Sequence, residues 1–561
     1  MVMSAANRRS ISLNFAVFAR IVLALLFAAM LLVSTKPAQA RLRARKLSGI
    51  LPPGASIESY YFEYAISPDS QYVVYIVHGI TSGSDDLYSV FIRGGEPTRL
   101  TLPGFNGRSI KYLEISPDSS RVVYIADADV DDQDELFSVP IDGSSPPLRI
   151  SSIGMIDNGD VSDFRISPDA ARVIYRADPA ADGQFNLYSV PIGGGLRTRI
   201  NDILAANIGV MNYWLTPDGQ RVAYTTHNED SLLDQLFFTR SDARDPHRLD
   251  SGPVEGMVIW NVVVLPDNSG VVYCAWQESA LAADVYRADF YTPPAPPMTQ
   301  RLTEAPDPSS LQGMLQVTPD GQYVVFAANY TVGGATEYWR ARTHPPAGFE
   351  NVLRLHPALV DQSANMGYWI TPNGVGAIFV IQEQGTGKHI LYSNTIATPL
   401  DDPFQLSHTP TTNNTGVSYL FAITPNSLGV VFTSNVDDIT TDRLYSNWIT
   451  GGEPISLSPN LVAGGNVSGF QITPDSQFVI FEADGLTNNQ DELFIVPIGG
   501  PWTSTQRLNS SFTNASGDVV SYLISPDGEK VIYIADAVTD EQYELYVVED
   551  VALQFVPLVS R

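Results

Sequence analysis

Short apolar runs separated by polar turns make up most of the chain, and the same order of runs returns along its length. Residues 109–150 show one copy. An alternating stretch leads into a Ser-Pro-Asp-Ser turn at residues 116–119, followed by apolar runs at 121–126 and 135–141 and a short run at 148–150. Four short runs bounded by turn residues predict four antiparallel strands joined as a meander.

The turn of the form Ser/Thr-Pro-Asp/Asn recurs ten times, every 49 to 53 residues. Its prolines are Pro68, Pro117, Pro168, Pro217, Pro266, Pro319, Pro372, Pro425, Pro474 and Pro526. Proline fixes φ at the second turn position and cannot donate to a ladder, so each of these turns lies between strands. The fifth copy has Leu265 in place of the hydroxyl residue, and the seventh and eighth have Asn373 and Asn426 in place of Asp.

A four-stranded sheet of this size buries its two faces only when neighbouring sheets stack against it, and all-strand repeats of about 50 residues favour a β-propeller. The predicted fold class is therefore all-β, with ten four-stranded antiparallel repeats over residues 60–561. We favour a single ten-bladed ring because the spacing is even. Two smaller propellers, such as five plus five, are the alternative. Segment 41–59 resembles the end of a repeat and is a candidate closing strand for the tenth blade; residues 553–558 are the other candidate.

The stretch ISPDSQYVVYIV…DDLYSVFIRGGEPTRLT (residues 66–101) resembles the TolB-like, or WD40-like, propeller repeat with Pro-Asp in its first turn. The resemblance extends over nearly all of residues 60–561. It implies a propeller that makes protein–protein contacts in a cell envelope. Only about twenty residues separate the predicted cleavage site from the first repeat, too few for the domain that precedes the propeller in TolB-like proteins, so we do not expect a Tol-type complex.

The N-terminus has the features of an export signal. Arg8, Arg9 and Arg20 come before an apolar run over residues 21–33, and Ala38-Gln39-Ala40 supplies the small residues of a cleavage site. The run is shorter than the ~20 apolar residues that a bilayer-spanning helix needs. We predict that residues 1–40 are a cleaved signal peptide, with an uncleaved membrane anchor as the alternative. The protein is then secreted, periplasmic or located at the cell surface.

The chain is strongly acidic, with 61 Asp and Glu against 33 Lys and Arg and a net charge of −28. Such a surface repels phosphate backbones, which predicts that nucleic acid is not a partner. The single cysteine, Cys274, lies in an apolar run and is predicted to be a buried structural thiol.

The acidic residues concentrate on one predicted face. Strand direction alternates in a meander, so the loop between the second and third strands and the loop into the next repeat share a face. Repeats one to four and eight to ten carry most of the acid there, which predicts a continuous acidic sector in a single ring. Its members include Asp85, Asp86, Glu135, Asp178, Asp234, Glu482, Asp484, Asp491, Glu492, Asp536 and Glu544.

One acidic loop has spacing suited to a cation. Asp127, Asp129, Asp131 and Asp134 alternate in a way that places carboxylates around Ca²⁺, although the loop lacks the glycine and the terminal glutamate of an EF-hand. The structural alternative is a solvated acidic hairpin that blunts edge pairing. Calcium is the only cofactor that the sequence suggests.

Tryptophans form the second candidate site. Trp260, Trp276, Trp339 and Trp369 fall in repeats five to seven, which carry little acid. An aromatic wedge of this kind contacts a glycan or a protein partner, whereas packing between blades is the interpretation that we favour.

The catalytic motifs searched for are absent from the sequence. It contains no Gly-x-Ser-x-Gly, His-Glu-x-x-His or Cys-x-x-Cys, and its seven histidines are scattered singly. We therefore expect a protein that is not an enzyme, an exported platform that binds a protein or an extracellular ligand. The alternatives are a propeller enzyme acting on an extracellular polymer or glycan at the channel mouth, and a calcium-stabilised surface adhesin.

Overall fold

The structure is a computed structural model that describes residues 44–549 apart from short internal segments. The segments outside the description are 58–62, 82–83, 103–108, 128–132, 152–158, 180–182, 251–256, 277–282, 293–297, 304–310, 330–335, 347–350, 358–361, 364–366, 384, 437–438, 459–460, 463 and 488. All described residues belong to one compact unit, Leu42–Val551. The predicted signal peptide, residues 1–40, lies outside the described residues, as do residues 553–558.

Ten antiparallel sheets, here called blades one to ten in chain order, account for all the strands. Blades one to five contain β2 (Tyr64–Ile66), β3 (Tyr72–Thr81), β4 (Ser84–Phe91) and β5 (Thr98–Arg99); β6 (Ile110–Ile115), β7 (Arg121–Asp127), β8 (Asp134–Pro140) and β9 (Leu148–Arg149); β10 (Val161–Ile166), β11 (Arg172–Ala177), β12 (Asn186–Pro191) and β13 (Thr198–Arg199); β14 (Ile208–Leu215), β15 (Arg221–Asn228), β16 (Leu233–Arg240) and β17 (His247–Arg248); β18 (Ile259–Val264), β19 (Gly270–Ala275), β20 (Asp284–Asp289) and β21 (Met298–Arg301).

The remaining five blades follow the same order; in blade seven two described segments, β26 and β27, stand in the place of the first strand. They contain β22 (Leu311–Val317), β23 (Tyr323–Ala328), β24 (Glu337–Arg342) and β25 (Val352–Arg354); β26 (Gln362–Ser363), β27 (Tyr368–Ile370), β28 (Gly376–Glu383), β29 (Lys388–Thr395) and β30 (Phe404–Gln405); β31 (Val417–Ile423), β32 (Gly429–Ser434), β33 (Arg443–Trp448) and β34 (Ile455–Ser456); β35 (Val467–Ile472), β36 (Phe478–Ala483), β37 (Glu492–Pro497), the 3₁₀ turn η1 (Trp502–Ser504) and β38 (Gln506–Arg507); β39 (Val519–Ile524), β40 (Val531–Ala535) and β41 (Glu544–Val548), with β1 (Arg45–Lys46) as the fourth strand.

The proline turns join the first and second strands of the blades, as predicted. In blade two, Ser116 Oγ donates to Asp118 Oδ1 at 2.6 Å and accepts the backbone N–H of Arg121 at 2.9 Å. The residue after Asp has a positive φ, 61° at Ser119, a conformation that Gly adopts freely at the same position in other turns, as at Gly219 and Gly321. The turn thus satisfies its own polar groups and fixes the reversal of the chain.

The same turns also join neighbouring blades. The backbone N–H of Asp69 in blade one donates to Ser119 Oγ in blade two at 3.0 Å. The N–H of Asp527 in blade ten donates to Ser70 Oγ in blade one at 3.0 Å, which is the same bond made across the ends of the chain. The chain therefore forms one closed ring of ten blades, and the ten-bladed prediction is confirmed.

Closure is completed by the N-terminal segment. Arg45 and Lys46 of β1 pair with Val547 and Tyr546 of β41. Leu47, Ala55 and Ile57 are buried in one apolar cluster with side chains of both blade ten and blade one. A segment from one end of the chain thus becomes part of the blade formed by the other end.

Aromatic side chains form a repeated core inside the blades. In nine blades the aromatic residue at the middle of the second strand stacks on one from the third strand, as Tyr124 does on Phe137 with ring centroids 5.4 Å apart. Cys274 is buried in this layer of blade five, as its apolar context predicts. First strands of neighbouring blades contact each other, which places them nearest the ring axis.

Among the described residues, no helix has the length and apolar content needed to cross a membrane.

Candidate functional site

Many acidic residues of the predicted sector are buried inside the blades rather than solvated. Eight of those listed above are buried: Asp86, Glu135, Asp178, Asp234, Asp484, Glu492, Asp536 and Glu544. Some pair with a basic residue on the fourth strand of the same blade, as Asp86 does with Arg99 at 2.5 Å and Glu492 with Arg507 at 2.7 Å. These carboxylates therefore hold the fourth strand in place.

Other acidic residues bind backbone N–H groups of the loop that enters the next blade. Asp178 accepts the N–H of Asp160 at 2.6 Å, and Asp536 accepts the N–H of Asp518 at 2.7 Å. A carboxylate that accepts a buried N–H satisfies a donor that would otherwise be costly to bury. The sequence grouped these residues by charge, whereas the structure divides them by the bonds that they make.

The calcium candidate is only partly within the described residues. Asp127 and Asp134 face each other across the end of the β7–β8 hairpin, whereas Asp129 and Asp131 lie outside the description. Lys111 Nζ contacts Asp134 Oδ2 at 2.6 Å. The part of the chain that the structure describes contains no group of three or more His, Cys, Asp or Glu arranged to hold a metal ion. The calcium site stays a prediction.

Three of the four candidate tryptophans pack within the fold. Trp260 and Trp276 meet edge to face with ring centroids 5.6 Å apart, and Trp339 Nε1 donates to the backbone oxygen of Ala328 at 3.2 Å. Trp369, on the inner strand β27, is 47% exposed. Of the four tryptophans considered as a binding surface in repeats five to seven, Trp369 is therefore the one whose side chain is available to a partner.

Comparing the ten blades with one another identifies a residue that departs from the repeat. The position after the stacked aromatic of the second strand holds Ile, Val, Thr, Cys or Ala in eight blades, at residues 76, 125, 225, 274, 327, 380, 433 and 534. The two exceptions are Arg176 in blade three and Glu482 in blade nine. Glu482 belongs to the acidic sector predicted from the sequence, where its charge alone does not distinguish it from the other acidic residues; alignment of the ten copies on this aromatic residue does.

The two charged exceptions have different surroundings. Arg176 lies opposite Asp163 on β10, and its Nη2 contacts Asp163 Oδ2 at 2.7 Å. Glu482 lies opposite Gly469 on β35, a residue with no side chain to meet it. A methyl group added at Gly469 would touch no atom within 4 Å, so the space beside Glu482 is open.

Within the described part of the chain, the Glu482 carboxyl group has no cationic partner. Its Oε1 accepts a hydrogen bond from Ser468 Oγ at 3.1 Å, and no Lys, Arg or His of the described residues forms an ion pair with it. Burial, together with the negative charges of Asp491 and Asp518, raises the pKa of Glu482 to about 7. At neutral pH the group is therefore divided between its acid and carboxylate forms.

Asp491 is the second carboxyl group of this site. It directly precedes β37, and its backbone N–H donates to Asp518 Oδ1 at 2.8 Å. Burial and the charges of Asp484 and Asp518 raise its pKa to about 6. Asp491 is thus mostly ionised at a pH at which Glu482 still holds a proton for about half of the time.

The site lies where the ring closes. Tyr64 of blade one and Ser521 of blade ten form a hydrogen bond of 2.7 Å between their hydroxyl groups. Tyr522 of blade ten donates its hydroxyl to the backbone oxygen of Ile480 on β36 at 3.1 Å, and the charge of Glu482 helps to raise the pKa values of both Tyr64 and Tyr522. Glu482 thus interacts with residues of blades ten and one.

Blade two shows how the same framework is built without such a site. Its backbone connections match those of blade nine: the N–H of Asp134 donates to Asp160 Oδ1 at 2.7 Å, as the N–H of Asp491 does to Asp518. There, however, Lys111 neutralises Asp134, and Ile125 takes the place of Glu482. Blade nine has Ser468 at the position of Lys111, so its carboxyl groups keep their uncompensated charge.

A carboxyl group with a pKa near neutrality beside an ionised one can donate a proton while its neighbour accepts one. This is the arrangement that general acid–base catalysis uses, most familiarly in the cleavage of glycosidic bonds. The space over Gly469, which lies opposite Glu482, is open.

No protein-family model and no curated protein matches this chain. Membership of the TolB-like family is therefore a resemblance and is not shown. Solved structures with a similar fold include a prolyl endopeptidase (16% identity, 68% of this chain and 54% of that chain, TM-score 0.36), prolyl oligopeptidase B from Galerina marginata (13%, 67% and 55%, 0.36) and an oligogalacturonate lyase in complex with manganese (17%, 63% and 96%, 0.34). The matched region spans about half the length of the two prolyl peptidases.

These comparisons contradict the prediction that the chain is not an enzyme, because the solved propellers named above are themselves enzymes. At these identities and TM-scores the likeness concerns the fold and assigns no reaction or substrate to this chain. The motif search failed as evidence against catalysis because it looked for residues close together in sequence. Glu482, Ser521 and Tyr64 come from different blades.

Proposed function

We propose that this protein is an exported propeller enzyme that acts on an extracellular polymer, most simply a glycan, at the inner end of blades nine, ten and one. Glu482 is the proton donor and Asp491 is the residue that accepts a proton or supports a positive charge that develops on the substrate. The observation that carries the proposal is Glu482 itself, a partly buried acid without a cationic partner, at a position where eight other blades hold a small or apolar residue.

A structural role accounts less well for Glu482. The buried acids elsewhere in the ring either pair with a basic residue, as Glu492 does with Arg507, or accept backbone N–H groups, as Asp536 does. Within the described chain the Glu482 carboxyl group accepts one hydrogen bond, from Ser468 Oγ, and the negative charge of Asp491 adds to the cost of ionising it. Groups that reduce the stability of a fold in this way are concentrated at functional sites.

The test is a hydrolysis and elimination screen with purified protein on neutral and acidic polysaccharides and on peptides, measured as new reducing ends, unsaturated products or free amines. We expect activity on at least one polymer and a loss of 10²- to 10⁴-fold in Glu482→Gln, the range typical of a removed general acid. The pH profile of the wild type should fall on its alkaline side with an apparent pKa of about 7.

The matched control is Glu114→Gln in blade two. Glu114 lies on β6, the first strand of blade two, and burial raises its pKa too. Arg165 in the next blade, however, offsets its negative charge. This variant should keep wild-type activity. Equal activity in Glu482→Gln and the wild type, or an equal loss in the two variants, would remove the assignment of Glu482.

A further inference from the structure

The face of the ring that carries the proline turns has an open groove between blades eight and nine, with a volume of about 430 Å³. The groove and Glu482 lie towards opposite faces of the ring, because β36 runs from the proline turn of blade nine towards the acidic loop beside Glu482. One wall is formed by Leu428 and Trp448 of blade eight and the other by Gln477, Pro497 and Ile498 of blade nine. This volume is in the range of small-ligand sites.

Both apolar residues of blade eight depart from the repeat. The third residue after the turn proline is Gln, Ser, Ala or Glu in eight blades, whereas Val375 and Leu428 occupy it in blades seven and eight. The third residue after the aromatic residue of the third strand is Pro, Arg, Asp, Thr or Glu in eight blades, and Trp448 in blade eight. Leu428 and Trp448 are 54% and 57% exposed. Leu428 and Trp448, each unlike the residue that most blades have at its position, therefore line the same groove.

Phe91 is the remaining aromatic residue at the position of Trp448, and it provides a contrast. It is 52% exposed, but its ring stacks on Tyr72 with centroids 4.4 Å apart. In blade eight the residue opposite Trp448 is Gly429, so no ring covers the indole from that side. Within the described chain Trp448 has no aromatic partner. Its flat face is open to the groove.

The polar groups at the groove indicate the chemistry of the occupant. None of the residues that line it is charged. Asn426 Oδ1 accepts the N–H of Leu428 and the hydroxyl of Thr424, which leaves the amide Nδ2 without a partner among the described residues. The indole N–H of Trp448 is likewise available. An exposed aromatic plane beside uncharged donors and acceptors suits a ring that has a C–H face and hydroxyl groups at its edge.

We propose that this groove binds one or two units of a neutral saccharide, with a sugar ring stacked on Trp448 and its hydroxyl groups bonded to Asn426 and Gln477. The net charge of −28 repels a polyanion, so the groove selects uncharged sugars. This site does not depend on the proposed catalytic pair, which lies on the other face.

Isothermal titration calorimetry with maltohexaose, cellohexaose and chitohexaose tests the proposal, with an oligogalacturonate of equal length as the charged counterpart and a proline hexapeptide as the peptide counterpart. At least one neutral sugar should bind. Trp448→Ala should weaken its binding at least tenfold, and Leu428→Gln should weaken it in the same direction. Leu428→Gln introduces the residue found at this position in blades one, four, six and nine, so the turn is retained.

Phe91→Ala is the matched control and should bind as the wild type does. Four results would each overturn the proposal: no neutral hexasaccharide binds, the charged oligomer binds equally well, the proline peptide binds in a Trp448-dependent way in place of sugar, or Phe91→Ala loses as much affinity as Trp448→Ala.

Discussion

Two glutamates of blade nine show how the environment of a single residue decides its role. Glu492 is buried on the third strand and pairs with Arg507 at 2.7 Å, so its charge is compensated. Glu482 lies on the neighbouring strand opposite Leu493, and burial next to Asp491 raises its pKa to about 7. The ion pair of Glu492 therefore stabilises the blade, whereas ionisation of Glu482 lowers the free energy of unfolding.

This difference predicts opposite effects of two similar substitutions on stability. Unfolding returns Glu482 to its ordinary pKa of 4.5, so between pH 4.5 and 7 the folded state binds more protons than the unfolded state. The free energy of unfolding of the wild type therefore falls as the pH rises through that window, by up to about 3 kcal/mol. Glu482→Gln lacks this loss and should gain stability relative to the wild type between pH 4.5 and 8 in urea unfolding.

Glu492→Gln is the control for that measurement. It breaks a buried ion pair and should be less stable than the wild type at pH 8, by about 3 kcal/mol. A difference between Glu482→Gln and the wild type that stays constant from pH 4.5 to 8 would show that the Glu482 pKa is not raised.

The sequence predicted that acidic residues gather on one face of the ring, but not which of them form the candidate site. Glu482 and Asp491 belonged to the predicted acidic sector, but charge and spacing alone could not separate them from Glu492 or Asp484. That separation depends on which acids face a basic residue on the next strand and which face Gly469, and these contacts become visible only when the strands are in register.

At the scale of the strand, the blades share a feature that the apolar pattern and the proline turns do not predict. The short fourth strand is followed by a small polar or amide residue whose side chain accepts a backbone N–H of the third strand. Ser151 Oγ accepts the N–H of Leu136 at 3.1 Å, and Asn201 Oδ1 accepts the N–H of Leu187 at 2.8 Å. In blade ten the residue is Ser48 from the N-terminal segment, which accepts the N–H of Leu545 at 3.3 Å.

These side chains continue the hydrogen bonding of the third strand beyond the end of a two-residue partner. Ser151→Ala should leave the buried N–H of Leu136 without its acceptor, and such a loss costs about 1–3 kcal/mol. Denaturant unfolding of the variant measures it. Ser145→Ala, on an exposed loop residue of the same blade, should change stability by less than about 0.5 kcal/mol. Equal stability of the two variants would contradict the role assigned to Ser151.

Strand order and turn position were predictable because proline, aspartate and the apolar runs act locally. The irregularities were not. The first strands of blades two, three and nine carry a shift of register, as between Ile110 and Tyr112, and nothing in the local apolar pattern marks it. The polar residue after the fourth strand was also visible in the sequence, but its role depends on a partner 14 to 18 residues away on another strand.

At the scale of the whole molecule, closure brings together residues that are far apart in sequence. Asp527 and Ser70 form the same bond as the turns of blades one and two, and Tyr64 binds Ser521 at 2.7 Å. Even repeat spacing predicted the single ring. It could not predict that the joint between blades ten and one lies beside the carboxyl pair of blade nine.

The error about catalysis also arose at this scale. Motif searches detect sites that lie within one stretch of chain, whereas a propeller assembles its site from loops and inner strands of several blades. The ten similar blades can instead be compared with one another. A residue that differs from its counterparts is not explained by the structure that all the blades share. Glu482 and Trp448 were both found in this way.

The central claim is that blade nine holds a carboxyl group with a pKa near neutrality at the joint of the closed ring. The most direct measurement is a ¹³C carboxyl titration of glutamate-labelled protein, with the Glu482→Gln spectrum subtracted to isolate one resonance. The account predicts a midpoint at a pH of about 7. A midpoint near 4.5, the ordinary value for glutamate, would contradict it.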